Sequence, residues 1–235
     1  MKSEVLDSKD WEKIFPVINK GTINQPYPGD ARASTPLKGV SKPNHDVTHA
    51  TRQVRLFETL HDLLPRQPNM LDFTPEEVNS LKLAAYCYNA GRASEGDDQC
   101  QFRSAQVYAA YAQQLGLSDE IIQWTFEIMA PDLSSKPLTE QQDLAHRLLT
   151  TSQRLDLFRY YSDQNMLPEL SKIQSQLKDW QLEGHTLSLV HYAKALIINT
   201  GGKQPSIEKQ TVDYCLPIFK CNCSYLTGST EILVT

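Results

Sequence analysis

The chain has 235 residues, of which 40% are hydrophobic and 22% charged, so it can bury a substantial core and is not of the intrinsically disordered class. Its formal net charge of −5 and its lack of any basic run exclude a protein that binds a nucleic-acid polymer through the phosphates. The polar N-terminal residues lack the apolar core of a signal peptide, and no segment approaches the roughly 18 consecutive apolar residues of a membrane span.

The five cysteines are unevenly spaced and do not predict a disulfide framework. They are Cys87, Cys100, Cys215, Cys221 and Cys223. The Cys-Asn-Cys spacing near the end is wrong for a zinc knuckle, and no second pair accompanies it. We therefore expect reduced thiols and a reducing compartment.

The N-terminal segment, residues 1–41, is rich in proline and glycine. This composition predicts a loop-rich arm, with one short helix around Asp10–Ile14. From Asn44 the pattern changes, because apolar residues recur at three- and four-residue steps as far as Leu64. That spacing predicts an amphipathic helix.

The following helices are predicted from caps and apolar periodicity. Thr74 and Glu77 form a capping box that opens a helix ending near Asn89. Thr139 and Gln142 form a second one, at the start of a long helix. The remaining predicted helices are about Phe102–Leu115 (stopped by Gly116), Ser118–Met129, and one or two between Pro168 and Asn199.

No segment of useful length alternates with period two, and strand signals are confined to the tail after Pro205. We therefore predict an all-α protein with three parts. The loop-rich N-terminal arm covers residues 1–41, a single helical-bundle domain covers 42–200, and a short irregular C-terminal extension covers 201–235.

The first candidate site segment is Lys42-Pro43-Asn44-His45-Asp46-Val47-Thr48-His49, followed by Arg52. Asn44 is a good N-cap, which places His45 in the first helical turn and His49 one turn further on the same face. The positive end of the helix dipole should keep His45 neutral and nucleophilic near pH 7 and attract a phosphate. Arg52 would add a cation beside the apolar face.

Two later segments also carry candidate site residues. Arg92 and Glu95 stand in a loop of small residues, where they bring a cation and a carboxylate to one site, although a plain helix C-cap with solvated charges fits as well. His146 and Gln153 lie two turns apart on one face of the long helix. For His146 the alternative is a structural histidine on an amphipathic helix.

The same histidines also match part of two kinds of metal site. His45-Asp46 is similar to the dipeptide of HD-type metal phosphohydrolases, which need a further histidine upstream, and the chain has none before His45. The His45–His49 spacing is also similar to that of zincin proteases, but Asp46 stands where those enzymes have a glutamate base. Since no third ligand is evident, we predict no metal, and an HD-type enzyme remains the less favoured alternative.

Taken in order, the three segments resemble the phosphodiesterase domain of the SidE effector family of intracellular bacterial pathogens. Those domains carry Arg/Lys-Pro-Asn-His-Gly-x-x-His, then a Gly-Arg loop with an acidic residue, then a histidine before a Leu/Ile-Asp-Leu-x-Arg run. The matching residues here are Lys42 to His49 with Arg52, Gly91-Arg92 with Glu95, and Leu155-Asp156-Leu157 with Arg159.

The resemblance implies an activity without metal or other cofactor. The substrate would be ubiquitin carrying ADP-ribose on an arginine, with AMP released and phosphoribosyl-ubiquitin passed to a serine or to water. His45 would be the nucleophile that forms a phosphohistidine, Glu95 an acid/base group, and His49 a histidine that orients or protonates. Asn44, Arg52, Arg92 and Gln153 would bind substrate. The resemblance also implies a secreted bacterial effector that acts in the host cytoplasm.

Two positions depart from the family pattern. Asp46 replaces the glycine after the first histidine, and Gln153 replaces the third histidine, for which His146 is the substitute from two turns earlier. A degenerate domain that binds ADP-ribose, a nucleotide or modified ubiquitin without turnover is therefore the leading alternative. Neither the direction of the reaction, ligase or deubiquitinase, nor the acceptor follows from these motifs.

Overall fold

The computed structural model describes residues 17–18, 45–65, 72–92, 100–134, 136–159 and 167–199. Within these ranges the chain forms seven α-helices and no strand. The helices are α1 (Val47–Leu63), α2 (Pro75–Cys87), α3 (Gln101–Gln114), α4 (Asp119–Met129), α5 (Glu140–Asp156), α6 (Leu167–Asp179) and α7 (Thr186–Asn199). The all-α prediction is confirmed. Every helix in the described ranges is too short or too polar to cross a bilayer.

Local capping chemistry sets the ends of several helices, as the sequence predicts. Thr74 and Glu77 exchange side-chain and backbone hydrogen bonds in a complete capping box at α2, and Thr139 and Gln142 do the same at α5. Ser118 caps α4 by accepting from the Ile121 N–H. These caps confirm the predicted starts of all three helices.

The start of α1 corrects the sequence prediction. The N-cap is Asp46, not Asn44, and the helix begins at Val47. Oδ1 of Asp46 accepts hydrogen bonds from the Thr48 N–H at 3.0 Å and the His49 N–H at 3.1 Å. His45 therefore lies just before the helix rather than in its first turn, and these two amides already have a protein partner.

Helix α5 is the centre of the bundle, since it packs against α1, α2, α4, α6 and α7. The core side chains that surround it are fully buried leucines and aromatics, such as Leu148, Leu56 and Phe57. Ile18 from the N-terminal arm is also fully buried and joins this core. The central position of α5 means that a side chain at its C-terminal end can meet both α1 and the turn after α2.

The two cysteines of the described ranges are buried thiols. Cys87 and Cys100 form no disulfide, and burial raises the pKa of the Cys87 thiol well above its ordinary value. The remaining three cysteines lie outside the described residues. So do the short helix predicted around Asp10–Ile14 and the weak strands predicted after Pro205.

A cluster of three hydroxyl groups joins α2, α3 and α4 inside the core. Ser80 Oγ lies 2.5 Å from the Tyr108 hydroxyl and 2.7 Å from Thr125 Oγ1, and all three residues are fully buried. Burial raises the pKa of Tyr108 to about 12, so this hydroxyl stays protonated and can donate. Each hydroxyl satisfies another where water cannot reach.

Substitution of Ser80 by alanine should lower the free energy of unfolding by about 1–3 kcal/mol, because it leaves Tyr108 and Thr125 without a shared partner. Urea denaturation followed by circular dichroism measures this change. Ser175→Ala, at an exposed serine of α6, is the matched control and should change stability by no more than about 0.5 kcal/mol. Equal effects of the two substitutions would contradict the assigned role of the cluster.

Candidate active site

The imidazole of His49 contacts side chains from two distant parts of the chain. Its ring is 2% exposed. The Nδ1–H donates to Oδ2 of Asp156 at the end of α5, at 2.6 Å. Asn89, in the turn after α2, donates from Nδ2 to the His49 Nε2 at 2.7 Å. One side chain of the first segment therefore contacts the Leu-Asp-Leu run and an asparagine two positions before Gly91.

Asp156 is shared between His49 and Arg52. Arg52 Nε donates to Oδ1 of Asp156 at 2.5 Å, and its Nη2 lies 3.4 Å from Oδ2. Arg52 is 3% exposed and also donates from Nη1 to the Thr48 hydroxyl at 3.3 Å. These are the contacts of a buried ion pair between α1 and α5. The sequence instead predicts that Arg52 lies beside the apolar face and binds substrate.

A second amide extends this network on the side of Asn89. Asn89 Nδ2 also lies 3.3 Å from Oε1 of Gln53, and both residues are buried. The amide nitrogen of Asn89 thus stands between two acceptors, the Gln53 oxygen and the His49 Nε2. In this orientation the Asn89 amide donates one hydrogen to each of the two acceptors.

His45 is half-buried and lies against His49 at the edge of this network. The two rings are perpendicular, with centroids 5.3 Å apart. An edge-to-face pair of this kind contributes about 0.5–1.5 kcal/mol and restricts ring orientation. His45 is thus placed by a neighbour that is itself held at both ring nitrogens.

Asp46 is the residue that departs from the family glycine, and its carboxylate acts as the helix cap. In addition to the two amides of α1, Oδ1 accepts from the Thr48 hydroxyl at 2.6 Å. This carboxylate therefore satisfies the orphan donors of its own helix end. The negative charge that replaces the glycine therefore has local partners in α1.

The loop that carries Arg92 is held against the start of α3. The Gly91 N–H donates to Ser104 Oγ at 3.1 Å, and Arg103 Nε donates to the Gly91 carbonyl at 2.8 Å. The Arg92 N–H donates to the Asn89 carbonyl at 3.2 Å, so this loop is continuous with the His49 network. The predicted site residues Asn44 and Glu95 lie outside the described residues.

His146 lies away from the other candidate site residues. It is ten positions before Asp156 on α5, which is about 15 Å along a helix axis at 1.5 Å per residue. Its Nδ1–H donates to the Ile128 carbonyl at the end of α4, at 2.8 Å. Gln153, by contrast, is half-buried and stands three residues before Asp156, on the adjoining turn. The structure brings Gln153, but not His146, near the network.

The two residues that anchor His49 were not identified as site residues from the sequence. Asp156 did carry a signal, since a carboxylate between Leu155 and Leu157 on a helix needs a buried partner. Asn89 carried no signal beyond its place at the end of α2. In the described ranges no group of three or more His, Cys, Asp or Glu side chains could hold a metal ion.

Comparison with known families gives one match that covers most of the chain. The sequence model of the SidE phosphodiesterase (PDE) domain matches residues 20–207, which is most of the chain. The chain belongs to the SidE phosphodiesterase domain family. The match starts inside the loop-rich arm and ends inside the C-terminal extension. A search of curated protein sequences gave no significant match.

Solved structures of lpg1496 share the fold of this SidE phosphodiesterase domain. The C-terminal domain of lpg1496 from Legionella pneumophila, in complex with nucleotide, is 15% identical with a TM-score of 0.54, covering 98% of this chain and 99% of that one. The structure of lpg1496 under 350 MPa is 14% identical with a TM-score of 0.54, and the match covers 96% of this chain and 99% of that one. Another structure of lpg1496, from Legionella pneumophila subsp. pneumophila, is 14% identical with a TM-score of 0.53, and the match covers 97% of this chain and 68% of that one.

Substitution of Gly91 by alanine should displace the Arg92 loop from α3. A Cβ at Gly91 would meet the Ser104 backbone nitrogen and would lie 2.5 Å from the Arg103 carbonyl carbon, and backbone atoms cannot yield as a flexible side chain can. We expect a loss of about 1–3 kcal/mol in the free energy of unfolding, as for other overpacked positions.

Gly184→Ala is the control for this substitution, because a Cβ at Gly184 meets no atom within 4 Å. Urea titration of both variants measures the difference. A Gly91→Ala protein as stable as Gly184→Ala would show that the loop does not depend on this close approach.

Proposed function

We propose that this chain is a metal-independent phosphodiesterase that acts on ADP-ribosylated or phosphoribosyl-linked ubiquitin through a phosphohistidine on His45. The observation that carries the proposal is the contact of His49 with both Asn89 and Asp156. Through it, the first and third segments of the family motif meet beside the turn that leads into Gly91-Arg92. Membership of the SidE phosphodiesterase family, and the nucleotide bound by the similar lpg1496 domain, support the same chemistry.

The proposed reaction has two displacements at one phosphorus atom. A ring nitrogen of His45 attacks the phosphorus nearer the ubiquitin-linked ribose, the P–O bond of the pyrophosphate breaks, and AMP leaves. A serine hydroxyl or water then attacks the phosphohistidine, the P–N bond breaks, and the His45 nitrogen is regenerated. Covalent catalysis of this type divides one difficult step into two easier ones.

The other site residues have supporting roles in this proposal. Glu95 would protonate the leaving AMP oxygen and later take the proton of the attacking hydroxyl. Arg92, on the loop fixed by Gly91, would bind the phosphates together with Asn44 and Gln153. Arg52 is buried with Asp156, so we propose that it supports His49 rather than touching substrate. By family resemblance, the setting is that of a secreted effector in the host cytoplasm.

One observation favours the alternative, a domain that binds ADP-ribose or modified ubiquitin without turnover. Gln153 stands where the family has a histidine, and His146 lies about 15 Å along α5 from Asp156, too far to replace it. If the third histidine is needed as a proton donor, this chain lacks it. Incubation with ADP-ribosylated ubiquitin, followed by measurement of AMP release and of ADP-ribose binding, separates the two functions.

His45→Ala should abolish AMP release from ADP-ribosylated ubiquitin, since it removes the nucleophile while the network of His49 stays in place. His49→Ala and Glu95→Ala should lower the rate by roughly 100-fold or more, the scale of a lost site group. Chromatographic detection of AMP, with and without a chelator, measures both the loss and the independence from metal. Full activity of His45→Ala, or loss of wild-type activity on chelation that one divalent ion restores, would refute this mechanism.

His146→Ala should leave the rate of AMP release unchanged and lower stability by about 1 kcal/mol, because it removes only the hydrogen bond to the Ile128 carbonyl. Parallel kinetic and urea measurements on this variant test the expectation. A rate loss as large as that of Glu95→Ala would instead place His146 in the reaction.

A further inference from the structure

We propose that Asn89 and Asp156 are positioning residues that hold His49 as a neutral imidazole in its Nδ1–H tautomer. In this state His49 orients the ring of His45 and transfers no proton. The functional part of this inference rests on the proposed role of His45 as nucleophile. Its structural part concerns only the protonation and orientation of His49.

The tautomer follows from the two partners of the ring. A carboxylate only accepts hydrogen bonds, so the Nδ1 of His49, 2.6 Å from Asp156 Oδ2, must carry a hydrogen. On the other side, the Asn89 amide nitrogen lies 2.7 Å from Nε2 and donates to it. In the same orientation this nitrogen also lies 3.3 Å from Gln53 Oε1, a second acceptor to which the amide donates. Nε2 is then an acceptor, and the ring is uncharged.

Charge balance leads to the same state. Asp156 already has a buried cation at contact distance, the guanidinium of Arg52. From α7, Lys194 is 8% exposed with its Nζ 5.6 Å from the ring of Phe158, two residues after Asp156. An imidazolium at His49 would share the Asp156 carboxylate with the Arg52 guanidinium in a buried site, so that one carboxylate would have to compensate two positive charges.

A ring with this arrangement is poorly suited to proton transfer and well suited to orientation. The Nδ1–H of His49 is bound to Asp156, and Nε2 is occupied by the Asn89 amide. The residue is 2% exposed, and its ring meets the ring of His45 at right angles with centroids 5.3 Å apart. Loss of either anchor would let both rings turn, and a nucleophile misplaced by about 1 Å can lose roughly 100-fold in rate.

The structural part is tested by ¹⁵N nuclear magnetic resonance of the histidine rings in the full chain, with His49 assigned by backbone correlation. We expect a protonated Nδ1 and an unprotonated, hydrogen-bonded Nε2 that persist across the range in which histidine ordinarily titrates, about pH 5 to 8. A protonated Nε2, or a ring that titrates in that range, would overturn the proposal whatever the activity of the protein.

The functional part is tested by Asn89→Leu, which removes the amide at nearly constant volume. We expect kcat for AMP release to fall roughly tenfold to 100-fold, with KM and both limbs of the pH–rate profile retained, because orientation is lost but no titrating group is. Asn79→Leu is the control, since Asn79 is a buried asparagine on α2 whose Nδ2 has no hydrogen-bond partner among the described residues. It should leave kcat unchanged.

The outcomes separate this proposal from the proposed function. A shifted limb of the pH profile in Asn89→Leu would identify His49 as a proton-transfer group, and equal kcat in the Asn89 and Asn79 variants would remove the positioning role. If wild type releases no AMP, the proposed function fails, and the resonance of His49 alone decides the assignment of its tautomer and anchors.

Discussion

The carboxylate of Asp156 is the acceptor on which the arrangement of this domain depends. It lies at the C-terminal end of α5, is 1% exposed, and accepts hydrogen bonds from both His49 and Arg52 of α1. A buried carboxylate without partners costs several kcal/mol, so α1 can pack on α5 only in the register that brings these two donors to it. The same contact that stabilises this register therefore also orients His49, and through it the ring of His45.

The helix end at Asp46 explains how a charged residue can stand where the family has glycine. An unpaired carboxylate next to His45 would repel an anionic substrate, whereas this one is bound to two amides and a hydroxyl of α1. Its charge is spread over local donors and complements the positive end of the helix dipole. Because the Thr48 and His49 amides donate to Asp46, they are not available as donors to a phosphate.

The same buried network could support either a catalytic site or a site that only binds its ligand. With Gln153 at the third-histidine position, a substrate phosphate would meet an amide instead of an acid. An amide can bind a phosphate oxygen, but it cannot protonate a leaving group. In the proposed mechanism, catalysis would then depend on Glu95 and on the orientation of His45. A domain in which these two residues are insufficient would keep the network and bind its ligand without turnover, and His49 would then serve recognition.

Most of the fold followed from the sequence because helix ends are local. The Thr74 and Thr139 capping boxes each act over three residues, and the apolar periodicity between them needs no tertiary information. The same local patterns singled out His45 and His49. Asn44 and Asp46 are both good N-cap residues, and N-cap propensity alone does not decide between them. The sequence prediction of Asn44 was wrong.

What only the tertiary structure decided is which residues contact His49. Asp156 is 107 positions away along the chain and Asn89 is 40, so neither distance has a signature in local spacing. Nor did the sequence indicate that Arg52 is buried and that His146 is separated from the network, because both depend on how α1 and α4 pack on α5. The sequence by itself determined the helices and the order of the motifs. The docking of those helices decided which side chains share a site, since hydrogen bonds between distant residues form only once the core has set their positions.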